Sequence, residues 1–197
     1  MTVAAAGATA AAVPSSRRHV VSALVVDRPG TLNRVSGLLR ARSFNIESLT
    51  VASTHEPGRS RMTIAVRGDD AHLRQVLAQL ERLIEVLEVR DLTAQPRVEL
   101  ELALVELTPP QTSEDRLAVN RVIATTGGEM LSADASAWRL RLTGSPERID
   151  NALDELRGHG LRNLVRAGAV AMAASTGVTA TNYASPAPRS TNGAPEA

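Results

Sequence analysis

Two stretches of this chain repeat one order of apolar periodicities, and that order restricts the folds open to it. Residues 19–26 form a continuous β-branched run, which reads as a strand buried on both faces. A turn at Asp27-Arg28-Pro29-Gly30 follows, after which Leu32, Val35, Leu38 and Leu39 recur at helical spacing, ending near Ser43. A second strand is predicted over 45–53, a hairpin loop over 55–59 with Pro57 and Gly58, and a third strand over 60–67. Asp69 or Asp70 then caps a helix whose stripe is Leu73, Val76, Leu77, Leu80 and Leu83, and residues 86–92 close the unit as a fourth strand. Strand, helix, strand, strand, helix, strand is the ferredoxin-like βαββαβ order, with two helices on one face of an antiparallel sheet.

Beyond a turn near 94–97 containing Pro96, the order repeats: a strand over 98–107, a helix over Leu117, Val122 and Ile123 ended by Gly127-Gly128, and strands around Met130 and over 138–142. A helix from Pro146, with Ser145 as its cap, and a last strand over 161–172 complete it. The expected class is α+β, two tandem units over 19–95 and 96–175. An Ala-rich leader over 1–18 and a polar tail over 176–197 lack the large apolar residues needed to offset ordering entropy, and both are expected to be disordered. The leader lacks the apolar core of a signal peptide; Ser15, Ser16, Arg17 and Arg18 leave a transit peptide as the alternative. Units of this size are marginal alone. The first strands are apolar on both faces, which two helices cannot cover together, so edge-to-edge pairing into a homodimer is expected.

Composition removes most chemistries. The 22 basic and 21 acidic residues leave a net charge of +1 with no long run of one sign, so no footprint for nucleic acid or a membrane surface is present. Every basic residue is Arg; without Lys there is neither a Schiff base nor a P-loop ammonium. The absence of Cys excludes thiol nucleophiles, disulfides and Cys-ligated metals, and fits a cytoplasmic location. One Phe, one Tyr and one Trp cannot build a stacking platform for bases. His19, His55, His72 and His159 follow no metal-ligand spacing and read as surface or strand-end residues, while Glu81, Glu85 and Glu88 read as a solvated face. No catalytic set and no metal site is therefore predicted.

What remains is the stretch from Asp27 through Pro29, Gly30, Thr31 and Leu32, at the junction of the first strand and helix. Pro fixes φ and Gly allows close approach, so the turn presents backbone N–H groups at a helix N-terminus, where a carboxylate is attracted. Asp27 at its lip can meet an ammonium group. The plainer reading is that Asp27 caps the helix and Gly30 permits the turn; the local physics supports both.

This stretch resembles the opening of an ACT domain, an amino-acid-binding regulatory module. Phe44-Asn45-Ile46-Glu47-Ser48-Leu49-Thr50-Val51 and Ser60-Arg61-Met62-Thr63-Ile64, together with Asp27, Gly30, Leu32, Arg34, Val35 and Gly37, resemble more narrowly the small regulatory subunit of acetolactate synthase. The second unit, from Glu99 and Leu102 to Arg166-Ala167-Gly168, is similar to that family's C-terminal domain. The resemblance implies a chain without catalytic residues or a cofactor of its own. Its partner would be a large catalytic subunit carrying thiamine diphosphate, Mg and FAD, which forms acetolactate from two pyruvates, or condenses pyruvate with 2-oxobutyrate. The small subunit would raise that activity and confer feedback inhibition by valine or another branched-chain amino acid. The resemblance also implies side-by-side pairing, with effector contacts at Asp27, Pro29, Gly30, Thr31 and Leu32 and with Asn45 and Ile46 from the paired subunit. Asp27 stands where some members carry Asn, and Ala167 where Ser or Thr is usual. A stand-alone tandem ACT-type regulator of another protein is the second reading, and a small enzyme on this scaffold the third; the third lacks a catalytic pair.

Overall fold

The computed structural model describes residues 17–41 and 45–174. In the first unit, β1 (Arg17–Val26), α1 (Thr31–Ala41), β2 (Asn45–Ser53), β3 (Arg59–Gly68), α2 (Asp70–Leu80) and β4 (Val86–Asp91) form an antiparallel sheet of order β2-β3-β1-β4. In the second, β5 (Arg97–Leu107), α3 (Ser113–Thr126), β6 (Glu129–Ala133), β7 (Trp138–Gly144), α4 (Pro146–Arg157), β8 (Leu161–Arg166) and β9 (Val170–Ala173) form a sheet of order β6-β7-β5-β8, with β9 also on β5. The repeated βαββαβ order holds, and the class is α+β.

Local chemistry sets the element ends. Asp69 caps α2 by accepting from the His72 N–H at 2.7 Å. Thr112 and Asp115 form a capping box at α3, and Gly127, in the left-handed region at φ 59°, ends that helix. Ser145 caps α4, with Pro146 in its first turn. Alternate residues of each sheet pack under the helices: Val21, Ala23, Val25, Met62, Ile64 and Val66 meet Val35, Leu39, Leu73, Val76 and Leu80 in one core. Ala103, Val105, Leu107, Leu140 and Leu142 meet Val119, Val122, Ile149, Leu153 and Leu156 in the other. α2 stops at Leu80, so Leu83 joins the core from the turn beyond it.

Several expectations are corrected. The predicted strand over 161–172 is two strands, broken between Arg166 and Val170. β8 pairs with 103–107 and β9 with 97–100 along the same side of β5. At the break the chain leaves the ladder for the first unit: a Cβ built on Gly168 would stand 2.5 Å from Thr50 Oγ1, and the Ala169 N–H lies 3.4 Å from Ser48 Oγ. On the helix-free face of the first sheet Val20, Ser22, Thr63 and Ala65 are buried within the single chain, and β9 lies in contact with β1. That face is thus covered from within the chain, so its apolarity alone does not call for a second copy. Arg17 and Arg18, assigned above to a disordered leader, begin β1, laddered with Gly68 and Arg67 of β3, and their guanidinium groups pair with Asp70 and with Glu47 and Glu99 respectively. The remainder of the leader, the tail beyond 174 and the helix end near Ser43 lie outside the described residues. His19 is fully buried rather than at the surface; its Nε2 lies 3.0 Å from the Gly68 carbonyl.

Candidate functional site

The turn after β1 is held by backbone bonds. The Asp27 N–H donates to the Gly58 carbonyl at 2.8 Å, the Val26 N–H to the Glu85 carbonyl at 2.8 Å, and the Thr31 N–H to Arg28 at 3.2 Å. Gly30 has φ 89°, which a side-chain-bearing residue rarely adopts. Its position before Thr31 makes it the residue preceding α1, so Asp27 is not the cap and its carboxylate stands exposed. The Arg34 N–H already bonds the Gly30 carbonyl, leaving Leu32 and Asn33 as the first-turn residues whose N–H groups have no intrahelical carbonyl to meet. The capping role for Asp27 falls, while Gly30 permits the turn as the plainer reading has it, and the Leu32 and Asn33 N–H groups stay without an intrahelical acceptor.

The predicted residues separate into two places. Asp27, Pro29 and Gly30 are exposed at the turn, and Leu32 is 45% exposed beside them. Thr31 is buried, with its hydroxyl donating to the Val26 carbonyl at 3.1 Å, so it braces the turn and offers no group to a ligand. Asn45 and Ile46 begin β2, where Asn45 stands opposite Arg67 and Arg67 opposite Arg18; the turn follows Val26, opposite Arg59. Eight residues along β1 separate the two ends, about 26 Å at a strand rise of ~3.3 Å. One chain does not bring them together.

Reading the sequence alone missed several contributors. The Gly58 carbonyl anchors the turn from the neighbouring hairpin. Glu85, read as part of a solvated face, is mostly buried, with its carboxylate 3.0 Å from Arg34. Val51, on the edge strand β2, is 39% exposed, and the register sets it level with Met62 and Ala23, three residues before Val26. Pairings of this kind leave no periodic signal in the chain. Among the described residues no group of three or more His, Asp or Glu could hold a metal, and no helix is long and apolar enough to cross a membrane. A groove lined by Thr125, Ser145, Arg148, Asn151 and Glu155 lies on the second unit, away from the turn.

Comparison with known proteins agrees with the architecture. Residues 21–88 match the family described as the AHAS small subunit-like ACT domain, and residues 100–175 match that described as the small subunit of acetolactate synthase. The probable acetolactate synthase small subunit of Methanothermobacter thermautotrophicus is 42% identical over 154 residues, covering 78% of this chain and 91% of the relative. The acetolactate synthase small subunit of Aquifex aeolicus is 38% identical, covering 79% and 81%. The crystal structure of the acetolactate synthase small subunit from Thermotoga maritima superposes with a TM-score of 0.71 at 31% identity, covering 80% of this chain and 97% of that one. With two family models in tandem and full-length relatives of this identity, the chain belongs to the acetolactate synthase small-subunit family.

Proposed function

We propose that this chain regulates a catalytic large subunit of acetolactate synthase, raising its activity and making it sensitive to valine or another branched-chain amino acid. The observation that carries the effector part is the turn at Gly30, where a positive φ and an uncapped helix terminus meet an exposed carboxylate and an exposed Leu32. A zwitterionic amino acid needs an anion site, a cation partner and an apolar wall. The N–H groups of Leu32 and Asn33, the Asp27 carboxylate, and the side chains of Leu32 and Val51 supply these in turn. Charge-assisted hydrogen bonds of this type contribute about 1.5–3 kcal/mol each, against roughly 0.3–1 kcal/mol for the helix dipole, so they dominate recognition of the carboxylate.

A second copy completes the site. β2 is an edge strand, and antiparallel pairing with its own copy across a two-fold axis at Leu49 sets Asn45 of one chain opposite Ser53 of the other. Because Ser53 lies beside Ser60, and Ser60 beside Val25, the partner chain's Asn45 and Ile46 then arrive at the turn's end of the sheet. The separation falls from about 26 Å along the sheet to three strand spacings, ~14 Å, a gap that an amino acid and its flanking side chains can fill. The thiamine diphosphate, Mg and FAD of the holoenzyme belong to the catalytic partner in this reading, which places the chain in the cytoplasm with that partner.

The test is reconstitution. Adding the purified chain to its cognate large subunit is expected to increase acetolactate formation and to make it sensitive to L-valine. An unchanged rate, with no shared peak on size-exclusion chromatography, would remove the proposal in favour of a regulator of another protein.

A further inference from the structure

The first half of β2, which supplies Asn45 and Ile46, is gripped by the second unit in two ways. One is a chain of alternating charges. Glu47 is paired with Arg67 and, at 3.1 Å, with Arg18; Arg18 Nη2 also stands 2.6 Å from Glu99 Oε1; and Arg97 Nε lies 2.9 Å from Glu99 Oε2. The Arg97 guanidinium further donates to the carbonyls of Leu92 and Thr93, both at 3.0 Å, so the chain of contacts runs from β3 and β2 through β1 to the inter-unit linker and β5. The other is steric: Gly168 packs against Ser48, Leu49 and Thr50, and Ala169 approaches Ser48 Oγ.

Burial makes the charged contacts consequential. The side chains of Arg18 and Glu99 are 20% and 9% exposed. Burial works against ionisation of Glu99, but Arg18 and Arg97 alongside outweigh it and hold its carboxyl below the ordinary range. Removing one charge from such a set leaves its neighbours partly buried and uncompensated. Glu47 is also the residue where the pairing of β2 with β3 changes register, between Ile46 and Ser48. A bulge bends its strand and sets the direction of the residues beside it. Tension on the Glu47 side chain therefore acts on Asn45 and Ile46.

We propose that Glu47, Arg18 and Glu99 form a coupling joint: they set the orientation of Asn45 and Ile46 and carry effector occupancy from β2 to the second unit. All three are positioning residues. The regulatory role rests on the effector reading above, whereas the mechanical joint does not. Three elements meet there by side chains and a close backbone approach, with no shared ladder between β2 and the second unit. A change in the tilt of β2 is thus resolved at these contacts.

The experiment is amide exchange on the full-length chain, comparing wild type with E99Q and R18Q and using E129Q, at the exposed Arg141 pair, as control. Without any effector, amides of residues 45–50 are expected to exchange about tenfold faster or more in E99Q and R18Q, while those of 62–66 and the E129Q chain stay at wild-type rates. Unchanged exchange at 45–50 in both variants would overturn the joint. On adding L-valine, wild type is expected to gain protection over 167–173 as well as 45–50, and E99Q only over 45–50, with inhibition of the reconstituted enzyme at saturating valine reduced to about half or less. A wild type that binds valine without any change over 167–173, or an E99Q chain that transmits as fully as wild type, overturns the regulatory role alone. A wild type without any response to branched-chain amino acids overturns the effector reading, and the regulatory role with it.

Discussion

Replacing Gly30 with Ala separates backbone conformation from contact. A Cβ at this position meets nothing within 4 Å, so added bulk costs nothing inside the chain and only the φ of 89° matters. Holding an L-residue there costs about 1–2 kcal/mol. For a chain of this size each kcal/mol lowers Tm by about 2–4 °C, which gives an expected drop of roughly 2–8 °C. If the turn relaxes to negative φ instead, the Leu32 and Asn33 N–H groups swing off the effector carboxylate. Loss of one charge-assisted hydrogen bond, about 1.5–3 kcal/mol, then weakens binding roughly tenfold to a hundredfold. Gly30→Asp adds a carboxylate at the same place and is expected to abolish binding. Calorimetric titration with L-valine beside thermal denaturation reads both effects. Gly37→Ala is the control: Gly37 lies within α1, its added Cβ also meets nothing within 4 Å, and Ala is expected to stabilise the helix by up to about 1 kcal/mol. Unchanged Tm and affinity in the Gly30→Ala chain would refute the reasoning that this turn depends on positive φ.

Other outcomes follow from the same structure. Thr112→Ala, which removes the α3 capping box, is expected to cost about 1 kcal/mol, a fall of roughly 2–4 °C in thermal denaturation. If copies pair through β2 as proposed, Val51→Glu, which places a charge on that exposed edge strand, is expected to move the chain toward monomer in sedimentation at micromolar concentration; a dimer left unaltered by it would contradict the β2 pairing. The folded-state pKa of Glu99 is lowered, so its contribution is present above its ordinary value of 4.5 and is lost as pH falls through the lower folded value. The acid limb of a denaturation-against-pH curve is therefore expected to be shallower in Glu99→Gln than in wild type.

Both βαββαβ orders were legible because each strand and helix carries its own period, and the caps at Asp69, Ser145 and Gly127 are local chemistry that a short window contains. What escaped that reading depends on distant partners. Residues 161–173 hold two strands on one side of β5, and only the approach of Gly168 to Thr50, over a hundred residues earlier, shows why the ladder breaks between them. Arg18 follows a low-complexity leader and declares itself only through Glu47 and Glu99. The same holds at the candidate site. Gly30 marks a turn in any window, but that Asp27 does not cap α1, and that Thr31 turns its hydroxyl inward to Val26, are facts of tertiary geometry.

The claim most open to direct attack is that the effector site is completed between two chains, and mixed dimers test it. Gly30→Asp disables the turn and Asn45→Asp the facing strand, so each variant alone is expected to bind no L-valine. After the two are unfolded and refolded together in equal amounts, half the dimers hold one chain of each kind. Every such dimer has one site built from two intact halves, so about a quarter of the sites should bind. Binding at about that fraction supports the intersubunit site; a mixture that binds no more than its separate components would contradict it.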